Sequence, residues 1–490
     1  MKVSTRQVWR NTIKKYKVRP LKFFLPENLN DIRKIISEAE KEGFNVRAVG
    51  SGHSFSDVAI GNQYLVDIKK INTLLPLDTE QLNANLDASN LVQAQAGMTI
   101  QKLNKVLDKK DLCVVNMGGI DNQTIAGAIS TGTHGTGKDL QAFHGMVRSI
   151  VLVAAGAKVY RIEPKLGITD PIRHNEESIT LIQDDDVFNS AVVSLGCFGI
   201  IYSFILEVLP MYYLREEKKI TTWNTIREQM LDGSIFGDER GLMIQVNPYE
   251  VDGDRTCIVV RHYLLDKKPH RRINDRIRNP KTFFGNVFLA HWFSVIRAFL
   301  SPHGTPKFLS GVLKSLEDER YENKGYKVLY QGAEYVKIRA YDSEYAFDMS
   351  QNNPHWVQLV ELLFEKAEQV RKINGVYQSE PTGIRFVKAS TAYLCPDYGK
   401  DVMYIDSPFV RRTRGSDELL DYYQEIMIEN NGIPHWGKLH DKIVGKYSLI
   451  KKHYPIIEKW KEVMLRFNPM GTFNNNFSER IFSGIDPGVK

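Results

Sequence analysis

Between Asn30 and Gly43 the apolar positions Ile32, Ile35, Ile36 and Ala39 recur at helical spacing, so one stripe of a helix is buried there. Asn30 reads as its cap and Gly43 as its stop. A strand follows over Val46–Val49, runs into the loop GSGHSFSD (50–57), and a second strand begins near Tyr64. Leu91–Ala96 reads as a strand and Ile100, Leu103 and Leu107 as one helix face, so strands and helices alternate over the first hundred residues. Alternation of period two returns over Val147–Val153, and Ala155-Gly156-Ala157 turns the chain into Val159–Ile162, a hairpin. Ser194–Leu206 (SLGCFGIIYSFIL) sets two glycines on an apolar strand. From about Met211 the segments become longer, mixed and more aromatic, and Pro455 opens a last helix carrying Ile456, Trp460, Val463, Met464 and Phe467 on one face. The pattern divides the chain at 1–210, 211–430 and 431–490, the last stretch returning to the first unit.

At 490 residues, 42% of them hydrophobic and 25% charged, the chain is globular and too long for one simple core. A net charge of +7, with the basic residues spread along the length, gives no reason to expect nucleic acid. Cys113, Cys197, Cys257 and Cys395 are far apart and show neither a disulfide framework nor a metal spacing, which suits a reducing compartment. The start, Met-Lys-Val-Ser-Thr-Arg-Gln, has no apolar core of a signal peptide, and a cytoplasmic protein is expected. Lys281–Leu300 complicates that expectation: it is apolar, follows a strongly basic stretch, and is interrupted by His291 and Arg297. It reads as a buried or interfacial helix; the alternative is that 268–300 forms a membrane-surface patch.

Chemistry first shows itself at Met117–Gly137, MGGIDNQTIAGAISTGTHGTG. Glycine lets backbone approach a ligand, and serine and threonine add hydroxyl donors, a composition suited to cradling phosphate. Gly132, Gly135 and Gly137 run GxxGxG, which is not the Rossmann fingerprint, and no GxxxxGK[ST] occurs. Two glycine-rich loops, around Gly50 and Gly132, instead suggest a long pyrophosphate-containing ligand held from both sides.

VGSGHSFSD, NMGG with QTIAGAISTGTHGTG, SLGCFGII, and PHWGK with NPMGTFNNNF occur in an order that resembles the vanillyl-alcohol-oxidase superfamily, closest to its aldonolactone and alditol oxidases. The likeness runs from about Asn28 to Phe477 and is weakest in the middle. It implies an α+β fold: a two-subdomain FAD-binding domain of the PCMH type, an α+β cap domain carrying the substrate pocket, and a C-terminus returning to the flavin.

The same resemblance assigns roles. His53 would bond covalently to the flavin 8α-methyl carbon, an imidazole nitrogen being a competent nucleophile. Gly50, Ser51, Gly52, Ser54, Gly119, Ser130, Thr133, Gly135 and Gly137 would contact the pyrophosphate and flavin, and Gly196, Gly199 and Ile201 the adenine end. His134 belongs to the same loop, its side chain read as structural. Gly118 would leave oxygen a path to the ring, favouring an oxidase that reduces O2 to hydrogen peroxide; a turn glycine is the plain alternative. Arg385 and Lys438 would stabilise the developing alkoxide at the flavin face, with Lys438 also a base if Arg385 depresses its pKa. Glu334, in GAEYVKI, either orients substrate or pairs with Arg385. His435 and Trp436 pack beside the flavin as scaffolding. Gly383 departs from the pattern, which has Glu there; the nearest carboxylate in sequence is Glu380. The expected reaction is hydride removal from a hydroxyl-bearing carbon of a sugar-derived alcohol or lactone, the rival being a dehydrogenase that passes electrons to a quinone or cytochrome.

Overall fold

The computed structural model describes residues 1–270, 300–331, 340–350, 353–443 and 445–482. Glu334 and all but the last residue of the 281–300 stretch therefore lie outside the described residues.

The N-terminal half is built around two larger sheets, beside two short two-stranded ones. The first is built from β1 (Lys2–Ser4), β2 (Lys22–Leu25), β3 (Val46–Val49) and β4 (Tyr64–Asp67), in the order β1-β2-β4-β3, with β3 and β2 both parallel to β4. Helix α1 (Leu29–Glu42) joins β2 to β3 and buries Ile32, Ile35, Ile36 and Ala39. Its cap is Asn28 and not Asn30: Asn28 is extended (φ −154°) and its side chain accepts from the Asp31 amide. Two more helical residues fit because Leu29 and Asn30 are compatible with helix once an earlier residue supplies the acceptor. Gly43 closes the helix at φ 71°, where a Cβ would be strained.

The second sheet is β5 (Leu74–Leu75), β6 (Leu91–Gln95), β7 (Val147–Val153), β8 (Val159–Glu163), β9 (Ile179–Gln183) and β10 (Ile200–Glu207), in the order β9-β8-β7-β10-β6-β5. The expected hairpin is present, with Val153 paired to Val159 across the Ala155–Ala157 turn. Gly196 and Gly199 sit in the loop before β10 and not on the strand: their φ values of 73° and 144° do not suit a ladder. Helices α2 (Ile100–Asp108), α3 (Ile125–Ser130) and α4 (Asp185–Val192) complete this half. Its core takes in Trp436, Tyr454, Trp460 and Phe477 from the end of the chain. The final long helix starts at Ile457 and buries Ile457, Trp460, Val463 and Phe467, leaving Ile456 and Met464 at its margin.

Eight strands form the third sheet: β11 (Tyr213–Thr222), β12 (Gly241–Val246), β13 (Thr256–Leu265), β14 (Asp318–Lys324), β15 (Ala340–Asp348), β16 (Thr382–Val387), β17 (Val402–Val410) and β18 (Ile433–Pro434), in the order β14-β11-β13-β12-β16-β17-β15-β18. Its helix-covered face packs α5 (Trp223–Asp232), α6 (Asn353–Asn374) and α7 (Ser416–Glu429) into a second core. The period of two sends Tyr345 and Phe347 of β15, Ile384 and Phe386 of β16, and Met403 and Ile405 of β17 into that core. Asp342, Glu344, Arg385 and Asp406, offset by one, line a cavity on the opposite face. Among the described residues no helix is long and apolar enough to cross a membrane. All four cysteines are buried and unpaired.

Candidate active site

A cavity of about 360 Å³ lies where the glycine loops of the N-terminal half meet the charged face of the eight-stranded sheet. Close approach of backbone builds its first wall. A Cβ on Gly50 would overlap the Thr124 Oγ1 that caps α3, so only glycine lets the 50–55 loop lie against that helix. Gly119 lies equally close to Gln331, where a Cβ would stand 2.6 Å from Oε1. The amides of Ser51, Gly52 and Ser54 donate to no protein acceptor among the described residues, and all three residues line the cavity. Half-buried donors left over along a cavity wall suit a ligand rich in acceptors, and the pyrophosphate and flavin carbonyls of FAD have that chemistry.

Arg47 ties this wall together. It is buried at the end of β3 and donates to the carbonyls of Val58 (2.8 Å), Gly196 (3.2 Å), Phe473 (3.2 Å) and Leu195. One guanidinium thus fixes three separate segments around the cavity. Its fixed fork of donors suits carbonyls arriving from several directions, which an ammonium would serve less well.

The second wall is ionic. Lys438 Nζ lies 2.6 Å from Asp342 Oδ2 and 3.5 Å from Glu344 Oε2, and His134 Nε2 stands 3.3 Å from Glu344 Oε1. The last approach is electrostatic and not an aligned hydrogen bond, since Glu344 Oε1 has no such partner. His134 stacks on Tyr404 with ring centroids 3.6 Å apart, and its Nδ1 faces the Gly135 carbonyl at 3.0 Å. His435 accepts the Gly437 amide at Nδ1, and burial pushes its pKa down to about 3, so it is a neutral acceptor. Burial raises Asp342 to about 6 even against the attraction of Lys438. Burial acts the same way on Glu344, but Lys438 and His134 outweigh it and hold that carboxyl well below its usual range.

These contacts correct the reading of Lys438 as a base of depressed pKa. Burial does work to lower it, but Asp342 and Glu344 raise the ammonium above the ordinary lysine range. The sequence placed Arg385 beside it; the structure places two carboxylates there. Arg385 lines the cavity with Nε buried and unpartnered among the described residues.

The remaining expected residues sort cleanly by position. Gly50, Ser51, Gly52, His53, Ser54, Gly118, Gly119, Ser130, Thr133, His134, Gly196, Gly199, Ile201, Arg385, His435 and Lys438 line the one cavity. Gly135 and Gly137 are off its wall: Gly135 packs on Asn116 and Met117, and Gly137 donates to the Phe386 carbonyl. Trp436 faces the core, donating to the Leu394 carbonyl at 2.7 Å and stacking on Tyr454. Glu380 is also off the wall, and burial raises its pKa to about 7.

Asp342, Glu344, Asp406, Gln331 and Arg47 escaped the sequence reading. The Glu-Tyr pair noticed at Glu334 recurs ten residues on as Glu344-Tyr345, and Glu344 of that second pair lines the cavity. The signal was the alternation Asp342, Glu344 between Tyr341, Ser343 and Tyr345, which puts both acids on one strand face.

Residues 20–163 match the family model of an FAD binding domain, which the glycine wall fits; with the ionic wall beside it, the class is that of an FAD-dependent oxidoreductase. Residues 205–481 match the model of D-arabinono-1,4-lactone oxidase, and the chain belongs to that family. It is 30% identical to D-arabinono-1,4-lactone oxidase of Yarrowia lipolytica, over 93% of each chain. It is 26% identical to L-gulono-1,4-lactone dehydrogenase of Mycobacterium tuberculosis, over 97% of this chain and 99% of the relative. L-Gulonolactone oxidase of Mus musculus is 24% identical over 97% and 98%. Among solved structures, cholesterol oxidase from B. sterolicum superposes with a TM-score of 0.70 at 14% identity, over 98% of this chain and 97% of that one, a likeness of fold.

Proposed function

We propose that this protein oxidises a hydroxyl-bearing carbon of an aldonolactone or a closely related sugar alcohol, with FAD held covalently through His53 and O2 as the final acceptor, giving hydrogen peroxide. The observation that carries the reading is the ionic wall, Lys438 between Asp342 and Glu344 with Arg385 nearby, facing the glycine cradle across one cavity. When bound, FAD supplies the two-electron acceptor.

The side chains do the rest. Lys438, kept protonated, donates to the substrate oxygen, and Arg385 adds a second positive charge where alkoxide character develops. The hydroxyl proton goes to Asp342 Oδ1, which is buried, has no hydrogen-bond partner among the described residues, and belongs to a carboxyl lifted to about 6. A carboxyl tuned near the working pH is an effective proton acceptor. Phe55 lies under the ammonium, 5.4 Å from ring centroid to Nζ, and helps keep water from it.

Gly118 is compatible with oxygen as acceptor: it lines the cavity, and a Cβ there would crowd the Thr133 methyl (3.1 Å) and the His134 carbonyl (3.4 Å), so glycine keeps that stretch of wall free of a side chain. A dehydrogenase is the second reading, favoured by the Mycobacterium tuberculosis relative's name. One experiment addresses tether and acceptor. Purified protein is precipitated in acid before and after His53→Ala, and the native form is assayed with D-arabinono- and L-gulono-1,4-lactone for peroxide. The expected result is yellow colour that stays with the wild-type pellet, leaves the variant's, and peroxide equal to lactone consumed. Colour leaving both pellets removes the tether, and rapid dye reduction without peroxide removes the oxidase.

A further inference from the structure

Asp406 lines the cavity on β17, directly opposite Gly383 of β16 in the antiparallel register. A Cβ on Gly383 would overlap Asp406 Oδ1, so the carboxylate occupies the room that glycine leaves. Among the described residues its oxygens accept no hydrogen bond and form no ion pair. Arg385, two residues along from Gly383, is the opposite charge that acts on it most strongly, yet the two make no direct pair, and Arg385 Nε is unpartnered among the described residues. A half-buried carboxylate on the cavity wall and a buried donor beside it, attracting each other without touching, leave room for a group that bridges them.

We propose that Asp406 is a substrate-binding residue that, with Arg385, grips a hydroxyl of a polyhydroxylated substrate next to the reacting carbon. This rests on the functional reading above and names the group that selects among its substrates. A hydroxyl is both donor and acceptor, so it gives its hydrogen to the Asp406 carboxylate and takes one from the Arg385 guanidinium. A carbonyl or an alkyl group satisfies at most one of the two. Asp342 and Glu344 stand on the same wall, but Lys438 engages both; Asp406 is the carboxylate there that no protein cation holds.

The test is Asp406→Asn, which keeps size and removes the charged acceptor, together with Gly383→Glu/Asp406→Ala, which clears the atoms a Cβ at 383 would meet and supplies a carboxylate from the facing strand. KM and kcat are measured for D-arabinono- and L-gulono-1,4-lactone, and lactone binding is read from the change in flavin absorbance. For Asp406→Asn, KM and the apparent Kd rise about ten- to a hundredfold, kcat changes less, and flavin content and Tm stay at wild-type values. In the double variant binding recovers at least severalfold. Unchanged binding in Asp406→Asn on a lactone the wild type turns over overturns the proposal alone. A wild type that is yellow but neither binds nor oxidises any lactone or sugar alcohol overturns the functional reading and this proposal with it.

Discussion

The two walls of the cavity are made in opposite ways. The cradle side is backbone: short glycine loops after β3 and around α3, held at a distance where a Cβ at Gly50 meets the Thr124 side chain that caps α3. The sheet side is side chain: Asp342, Glu344, Arg385, Asp406 and Lys438, drawn from β15, β16, β17 and the turn after β18. On the function proposed above, backbone amides would recognise what every bound FAD has in common, and charged side chains on a sheet, which can be exchanged singly without moving the strand, would set the substrate chemistry.

If this division holds, damage to each wall has its own signature. Lys438→Met has the largest effect: kcat falls about 10²–10³-fold, the loss seen when one preorganised donor to a developing oxyanion is removed. Flavin absorbance is retained in that variant, and stopped-flow flavin reduction with lactone checks both points. Loss of colour would show that the walls are not separable.

Gly50→Ala strikes the other wall. The new methyl overlaps Thr124 Oγ1, costing about 1–3 kcal/mol as overpacking, and FAD occupancy falls. Adding Thr124→Ala removes the clashing atom at the expense of the α3 cap, so the pair is less destabilising than the sum of the singles. Melting temperature and the ratio of flavin to protein absorbance measure this.

A smaller effect separates a buried acid in the site from one outside it. Glu380 has its pKa raised to about 7 by burial, so the folded state holds its proton more tightly than the unfolded chain does. Its contribution is fully present below about pH 4.5 and is lost as pH rises through 7, a slope of up to about 1.4 kcal/mol per pH unit. Glu380→Gln flattens the pH dependence of Tm over that window and leaves kcat/KM for lactone unchanged. A variant that lost activity would bring Glu380 into the reaction.

Local regularities were visible in the chain. The stripe Ile32, Ile35, Ile36 and Ala39 is buried as expected, because helical periodicity depends only on near neighbours. The cap moved from Asn30 to Asn28 because two asparagines two apart offer the same oxygen, and packing chose between them. The glycine loops were legible as a cradle for the same reason that makes them work: glycine and threonine in quick succession have few other uses. Gly135 and Gly137 show the limit, since they share that composition but serve the packing of the loop against Asn116, Met117 and Phe386.

By itself the sequence determined the local elements and the two glycine-rich stretches, with His53 inside the first of them. Arg385 and Lys438 of the second wall were named from the resemblance, but only the tertiary structure added the carboxylates beside them. Strands β15, β16 and β17 come from positions 340–348, 382–387 and 402–410, and their alignment brings Asp342, Glu344, Arg385 and Asp406 to one face. Whether Lys438 is a base or a cation depends on which charges lie within a few ångströms of it. Coulomb energy falls with distance through space, and separation along the chain carries no information about it.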